Sequence, residues 1–331
     1  PLFIQFIILS YANADCNSFF NFSPSKTNIV FAVRKDIKKE LGMVELTKRT
    51  DLALECRENT GCGEIEGVTV SEREFDGGRL TEINVLSDEG GKKLGKPKGR
   101  YITMETDGFP EGDGLFCDAT DELTECLLSL VPDSGTVLVA GLGNTDITPD
   151  ALGPKCSSLI FSTRHIDGET AKALSLPPLR NVCAVSPGVT GQTGIETLEI
   201  IAGICDRVKP CCVICVDALA AGSVKRLAKT VQISSSGIEP GSGVNNARRA
   251  VTRETLGVPV IGIGVPTVVD AASLVSDIAG DRVKKDGAYD HLVVTPGNID
   301  VVISSASRFL ALAVNRALQR GLTPEELLNV M

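Results

Sequence analysis

The chain has 331 residues, a formal net charge of −9 and no Trp. That length holds one large α/β domain or two small ones, while the acidic balance and scarce aromatics argue against a duplex-DNA binder or a base-stacking nucleic-acid binder. Eleven Cys, several inside apolar runs such as Cys211-Cys212-Val213-Ile214-Cys215-Val216, read as buried free thiols of a reducing compartment rather than a disulfide scaffold.

The first residues carry an apolar stretch, Leu2 to Leu9, with no basic residue before it. It is an incomplete signal peptide and too short to span a bilayer. Met43 is the first Met and the expected natural start, with residues 1–42 an upstream or fragment segment. Residues 66–107 then alternate apolar and polar positions, as in Gly67-Val68-Thr69-Val70-Ser71, Leu80 to Leu86 and Arg100 to Met104. This period predicts half-buried antiparallel strands joined by Gly- and Asp-rich turns. A short helix follows over Asp121 to Leu130.

From there the pattern changes to short apolar strands, each followed by a Gly/Pro loop. Thr136 to Ala140 leads into Gly141-Leu142-Gly143-Asn144. Val182 to Val185 leads into Ser186 to Gly191 and a helix over Glu196 to Val208. Cys211 to Val216 leads into Asp217, and Val258 to Val265 into Pro266, Thr267 and Asp270. His291 to Thr295 leads into Pro296-Gly297 and a helix over Ile299 to Arg320. Repeated strand–loop–helix units predict a mostly parallel sheet with helices on both faces. Ligands bind such sheets outside the carboxyl ends of the strands.

Several chemistries lack their parts. Two His cannot build a three-His zinc site, and no H-E-x-x-H or G-x-S-x-G is present. Cys212 and Cys215 have C-x-x-C spacing, but in a strand residues three apart face opposite sides. Gly141-Leu142-Gly143 follows a strand as a dinucleotide loop would, yet the third glycine position is Asp146, an acid that repels a pyrophosphate. No cofactor or metal is expected. What remains is acids at strand ends. Asp150, in Thr148-Pro149-Asp150-Ala151-Leu152-Gly153-Pro154, follows the first parallel strand, and Asp217 follows the third. Two close carboxylates cannot both ionise easily, so one retains a proton. The pair then offers a base for water and an acid for a leaving amine. Each acid capping a helix is the plain alternative, and the residues alone leave both readings open. For Asp270 the capping role is preferred.

Arg49-Thr50-Asp51-Leu52-Ala53-Leu54-Glu55 resembles the processing segment of germination protease zymogens. The same blocks continue in order through Leu94-Gly95-Lys96-Pro97, Gly141-Leu142-Gly143-Asn144, Thr148 to Pro154, Pro187 to Thr197, Val216 to Ala221, Gln232-Ile233, Gly237-Ile238, Pro240 to Val244, Gly264 to Ala271 and Val294 to Pro296. The resemblance implies an endopeptidase made as a zymogen in the developing spore, acting on small acid-soluble spore proteins at germination. It implies an α/β/α sandwich similar to hydrogenase maturation proteases, with a β-rich section over 52–110 of a single domain 52–331. Asp150 and Asp217 become its catalytic residues, with no metal. The propeptide becomes 43–51, cut between Asp51 and Leu52. Loops with Gly141, Gly143, Asn144, Thr190, Gly191, Gln192 and Ser242 become substrate-crevice candidates. It further implies a homotetramer in the cytoplasm of the forespore and spore core, with neither nucleic acid nor membrane as partner. The alternatives are a hydrogenase-maturation-like peptidase and a non-enzymatic small-molecule binding module. The chain departs from the family at Gly222, where Arg is frequent, at Ser234-Ser235-Ser236 and at Asn245-Asn246, which puts fine specificity in question.

Overall fold

In the computed structural model, residues 50–331 are described apart from 62, 111, 116, 242–248 and 280–291. The strands are β1 (Val68–Phe75), β2 (Gly78–Val85), β3 (Gly99–Thr106), β4 (Val137–Gly141), β5 (Val182–Val185), β6 (Cys212–Ala221), β7 (Thr230–Ser234), β8 (Val260–Asp270) and β9 (Val293–Val294). They join in one sheet of order β1-β2-β3-β7-β8-β6-β4-β5, with β9 paired to β8. β8, β6, β4 and β5 form a parallel block. The β1–β2–β3 meander continues the same sheet, because β7 runs antiparallel to both β3 and β8.

The parallel block is buried on both faces, which is why its strands read as unbroken apolar runs. Along β4 and β6 the side chains alternate between two cores. Val137, Val139, Cys212, Ile214 and Val216 belong to the larger, with Leu123, Leu152, Phe309 and Leu312 from the helices Asp118–Leu128, Leu152–Ser158 and Ile299–Leu318. Leu138, Ala140, Val213 and Cys215 belong to the other, with Leu198, Ile201 and Cys205 of the helix Thr197–Val208. This is the three-layer α/β/α arrangement expected from the pattern. Cys212 and Cys215 lie in different cores, as their spacing in a strand requires.

The structure differs from the sequence expectation in four places. β2 and β3 are not simply half-buried. Ile83, Val85 and Tyr101 pack under the helices Ala53–Asn59 and Asp88–Leu94, while Leu80, Ile102 and Met104 face the larger core. β6 does not stop at Val216 but runs to Ala221, since β8 pairs with it through Val269 beyond a bulge at Leu219/Ala220. Pro266 and Thr267 accordingly lie inside β8 rather than in a loop. The last strand is Val293–Val294, and His291 lies outside the described residues. The helix Ile299–Leu318 has the length and apolarity to cross a membrane, but 72% of its apolar window is buried in the protein, so it serves here as a core helix.

Candidate active site

β4 ends at Gly141, and the chain turns back through a 3-10 turn, Thr148–Asp150, into the helix Leu152–Ser158. Pro154 sits in that helix's first turn, where a missing N–H costs nothing. Asp150 is half-buried, and its Oδ2 accepts a hydrogen bond of 2.8 Å from Asn144 N. Two glycines allow this fold-back. Gly143 has φ +116°, and a Cβ there would stand 2.0 Å from the Asp150 carbonyl oxygen. A Cβ at Gly153 would stand 2.2 Å from Leu142 O and 2.3 Å from Val216 O.

Those contacts tie the Asp150 loop to the residue before Asp217. Leu142 N also donates to Val216 O at 2.8 Å. In the β4–β6 register Gly141 pairs with Val216, so Asp217 is the first residue of β6 beyond the end of β4. It is therefore mid-strand in β6 and yet at the carboxyl edge of the parallel block. The expectation that Asp217 directly follows its strand is corrected, and the crevice position has this different cause. Asp217 is 4% exposed, and its Oδ1 accepts from Ala218 N at 2.9 Å.

Asp150 and Asp217 line one cavity of about 380 Å³, together with Asp51, Ile147, Pro149 and Thr197. Among the crevice candidates, Gly143 lines this cavity. Gly141 closes β4 behind it. Asn144 bonds Asp150 through its N–H, and Asn144 Oδ1 accepts from Gln192 Nε2 at 2.8 Å. Gln192 Nε2 also donates to Asp146 Oδ2 at 2.9 Å, so Gln192 ties its own segment to the loop after β4. Thr190 and Gly191 belong to the short helix Thr190–Thr193, whose Thr190 hydroxyl bonds Glu196, and they do not line the cavity. Ser242 lies outside the described residues, although Pro240 and Gly241 before it line the cavity. Asp270 Oδ1 accepts from Ser273 N at 2.9 Å, the capping role expected of it.

The residues expected at the processing point are held firmly. Asp51 N donates to Ala220 O at 3.0 Å, and Ala220 N donates to Asp51 Oδ2 at 2.8 Å. The Asp51 carbonyl oxygen accepts from Lys96 Nζ at 2.9 Å and from Gln232 Nε2 at 2.8 Å. Leu52 is fully buried. Glu55 Oε2 accepts from Gly222 N at 2.6 Å and from the Thr50 hydroxyl, and Arg226 lies 3.6 Å from Glu55 Oε1. Burial raises the Glu55 carboxyl above the ordinary range, against the lowering effects of Thr50, Gly222 and Arg226. Gly222 thus contributes a backbone donor, and Arg226 supplies a cation to Glu55. Ser234 and Ser236 join hydroxyls at 2.6 Å, and Ser236 donates to the Tyr101 hydroxyl, linking β7 to β3. Asn245-Asn246 lies outside the described residues.

Nearby thiols are poor nucleophiles. Burial pushes Cys156 up to about 12 and Cys215 higher still, and a thiol attacks as thiolate. His165 is exposed and absent from the cavity lining. Among the described residues, no three of His, Cys, Asp or Glu gather as a metal set. Lys96 and Gln232 lie in sequence motif blocks that by themselves give neither a role. Their convergence on Asp51 needed the tertiary structure.

Fold and crevice define an α/β protein with two carboxylates, from β6 and from the loop after β4, opening on one cavity. A profile of the germination protease family matches residues 46–289. Germination proteases of Caldanaerobacter subterraneus subsp. tengcongensis and Clostridium perfringens are 41% and 38% identical. The alignments cover 86% and 84% of this chain and 98% and 97% of theirs. That of Priestia megaterium is 44% identical over 73% of this chain and 68% of its own. Among solved structures, a [NiFe] hydrogenase maturation protease, HycI, from Thermococcus kodakarensis KOD1 aligns at 17% identity and a TM-score of 0.35, over 58% of this chain and 98% of its own. The chain belongs to the germination protease family and is a protease.

Proposed function

We propose that this protein is an aspartic-type endopeptidase that opens the degradation of small acid-soluble spore proteins at germination and is made as a self-processing zymogen. The observation that carries the reading is the shared cavity of Asp150, Asp217 and Asp51. One carboxylate takes a proton from water as the oxygen attacks the substrate carbonyl carbon. The other, protonated, gives its proton to the leaving amine as the C–N bond breaks. Asn144 N and Ala218 N hold the two carboxylates in place. A carboxyl pair needs no metal for this cycle, and none is proposed, nor any cofactor.

The Asp51–Leu52 bond is the proposed processing point. An acidic residue followed by a buried aliphatic one then describes both the zymogen segment and the substrate. The proposed form is a homotetramer in the forespore cytoplasm and spore core, with neither nucleic acid nor membrane as partner. Light scattering that returned a monomer mass would remove the tetramer, and a tagged chain found outside the spore core would remove the location.

The test is incubation of the full chain with a small acid-soluble spore protein, read by mass spectrometry beside D150N and D217N. Discrete cuts after acidic residues are expected for the wild type. Each Asn variant should fold and lose at least about 10²–10⁴-fold of the rate, the range that general acid–base help supplies. Comparable cleavage by either variant would remove that residue from the mechanism.

A further inference from the structure

Four blocks of the sequence that lie far apart in the chain meet at residue 51. The segment Thr50–Glu55 brings Asp51, the loop after the helix Asp88–Leu94 brings Lys96, β6 brings Ala220, and β7 brings Gln232. Asp51 and Leu219 line both the large cavity, with Asp150 and Asp217, and a smaller adjoining one of about 110 Å³, with Lys96 and Gln232. Residue 51 therefore stands where the two cavities join.

Gln232 is 7% exposed. A buried amide is costly unless both of its ends are bonded. Here both ends are satisfied by the same short segment: Nε2 donates to the Asp51 carbonyl, and Oε1 accepts from Ala53 N at 2.6 Å. This grip reads main chain on both sides of Leu52 and is indifferent to side chains. Ala220 N, bonded to Asp51 Oδ2, serves a carboxylate or an amide oxygen alike. Lys96 is different. Its ammonium is 2.9 Å from the carbonyl oxygen of residue 51, so a negative side chain on that residue lies in its field. It also contributes a charge-assisted bond that strengthens as negative charge grows on that oxygen.

We propose that Lys96, Gln232 and the Ala220 main chain form the subsite for the acidic residue on the N-terminal side of the processed bond. Gln232 holds the main chain, and Lys96 both selects the acid and polarises its carbonyl. This assignment rests on the function proposed above, with Asp51–Leu52 as the processed bond. Lys96 and Gln232 are then catalytic residues of self-processing, since both touch the reacting carbonyl.

The experiment follows the cut at Asp51–Leu52 in the full chain by mass spectrometry. Wild type, D51N, K96M, the K96M/D51N double variant, K96R and Q232L are compared, with thermal unfolding as a check on folding. K96M should slow the cut roughly 10- to 100-fold, the worth of one charge-assisted bond, and Q232L should slow it by a similar factor because it removes two neutral bonds at once. D51N should be slower than wild type, and K96M should erase the difference between Asp and Asn at position 51. K96R should keep most of the rate. Should K96M fail to fold, Q232L and the comparison of K96R with wild type carry the test. A cut in K96M as fast as in wild type overturns the subsite alone. A faster cut overturns it too, because the ammonium would then be withholding the bond. A wild-type chain that degrades spore protein but never cuts at Asp51–Leu52 sinks the processing reading, and the subsite with it.

Discussion

At the scale of the residue, the crevice acids and their neighbours differ in what surrounds them. Asp150 and Asp217 each accept a backbone N–H that an amide oxygen can also accept. Asn at either position should therefore preserve the fold while removing the proton traffic. Asp51 is bonded through its carboxylate to Ala220 N and lies beside the Lys96 ammonium. An Arg at 51 would set two cations together and lose the carboxylate bond. D51R should leave the Asp51–Leu52 cut undetectable by mass spectrometry, and efficient maturation of that variant would contradict the zymogen reading.

Glu55 offers a pH test. Its folded carboxyl is raised, chiefly by burial, so in the window above the ordinary carboxylate value the folded state binds more protons than the unfolded one. Stability from this group is fully present below the unfolded value and is lost as pH rises through the folded one. E55Q does not titrate there. Its urea midpoint relative to wild type should climb between acid and neutral pH, and a constant difference would show that Glu55 ionises as an exposed group does.

At the scale of the element, the fold-back after β4 depends on close backbone approach at Gly153. A methyl there must displace Leu142 O or Val216 O, both part of the frame that sets Asp150 against Asp217. G153A should cost about 1–3 kcal/mol in urea unfolding, as overpacking does, and should reduce cleavage more than the stability loss explains. A variant with native stability and activity would mean that the loop tolerates the shift. The repeated strand–loop pattern was legible for β4 and β5, and the antiparallel period of residues 66–107 gave β1 to β3. The length of β6 was not legible. Its extension past Val216 depends on pairing with β8 across a bulge, which no local pattern encodes.

At the scale of the whole molecule, one helix, Ile299–Leu318, closes the larger core. Phe309 within it is fully buried and stands 5.8 Å, ring to ring, from Phe109. F309A should cost about 3–5 kcal/mol, the range for a large aromatic emptied from a core, read as a shift of the denaturant midpoint with unchanged slope. A cost below about 1 kcal/mol would mean that the core collapses onto the space.

By itself the sequence determined the α/β class, the parallel strand–loop units and the family, because apolar periodicity and ordered motif blocks are local properties of a chain. It also named Asp150 and Asp217 while leaving helix capping open as a rival. Tertiary structure decided that both acids face one cavity, that Asp217 gains its edge position because β4 stops where β6 does not, and that Lys96 and Gln232 meet on the Asp51 carbonyl. These depend on strand register and on contacts between residues up to 181 positions apart, and only the packed sheet fixes such contacts.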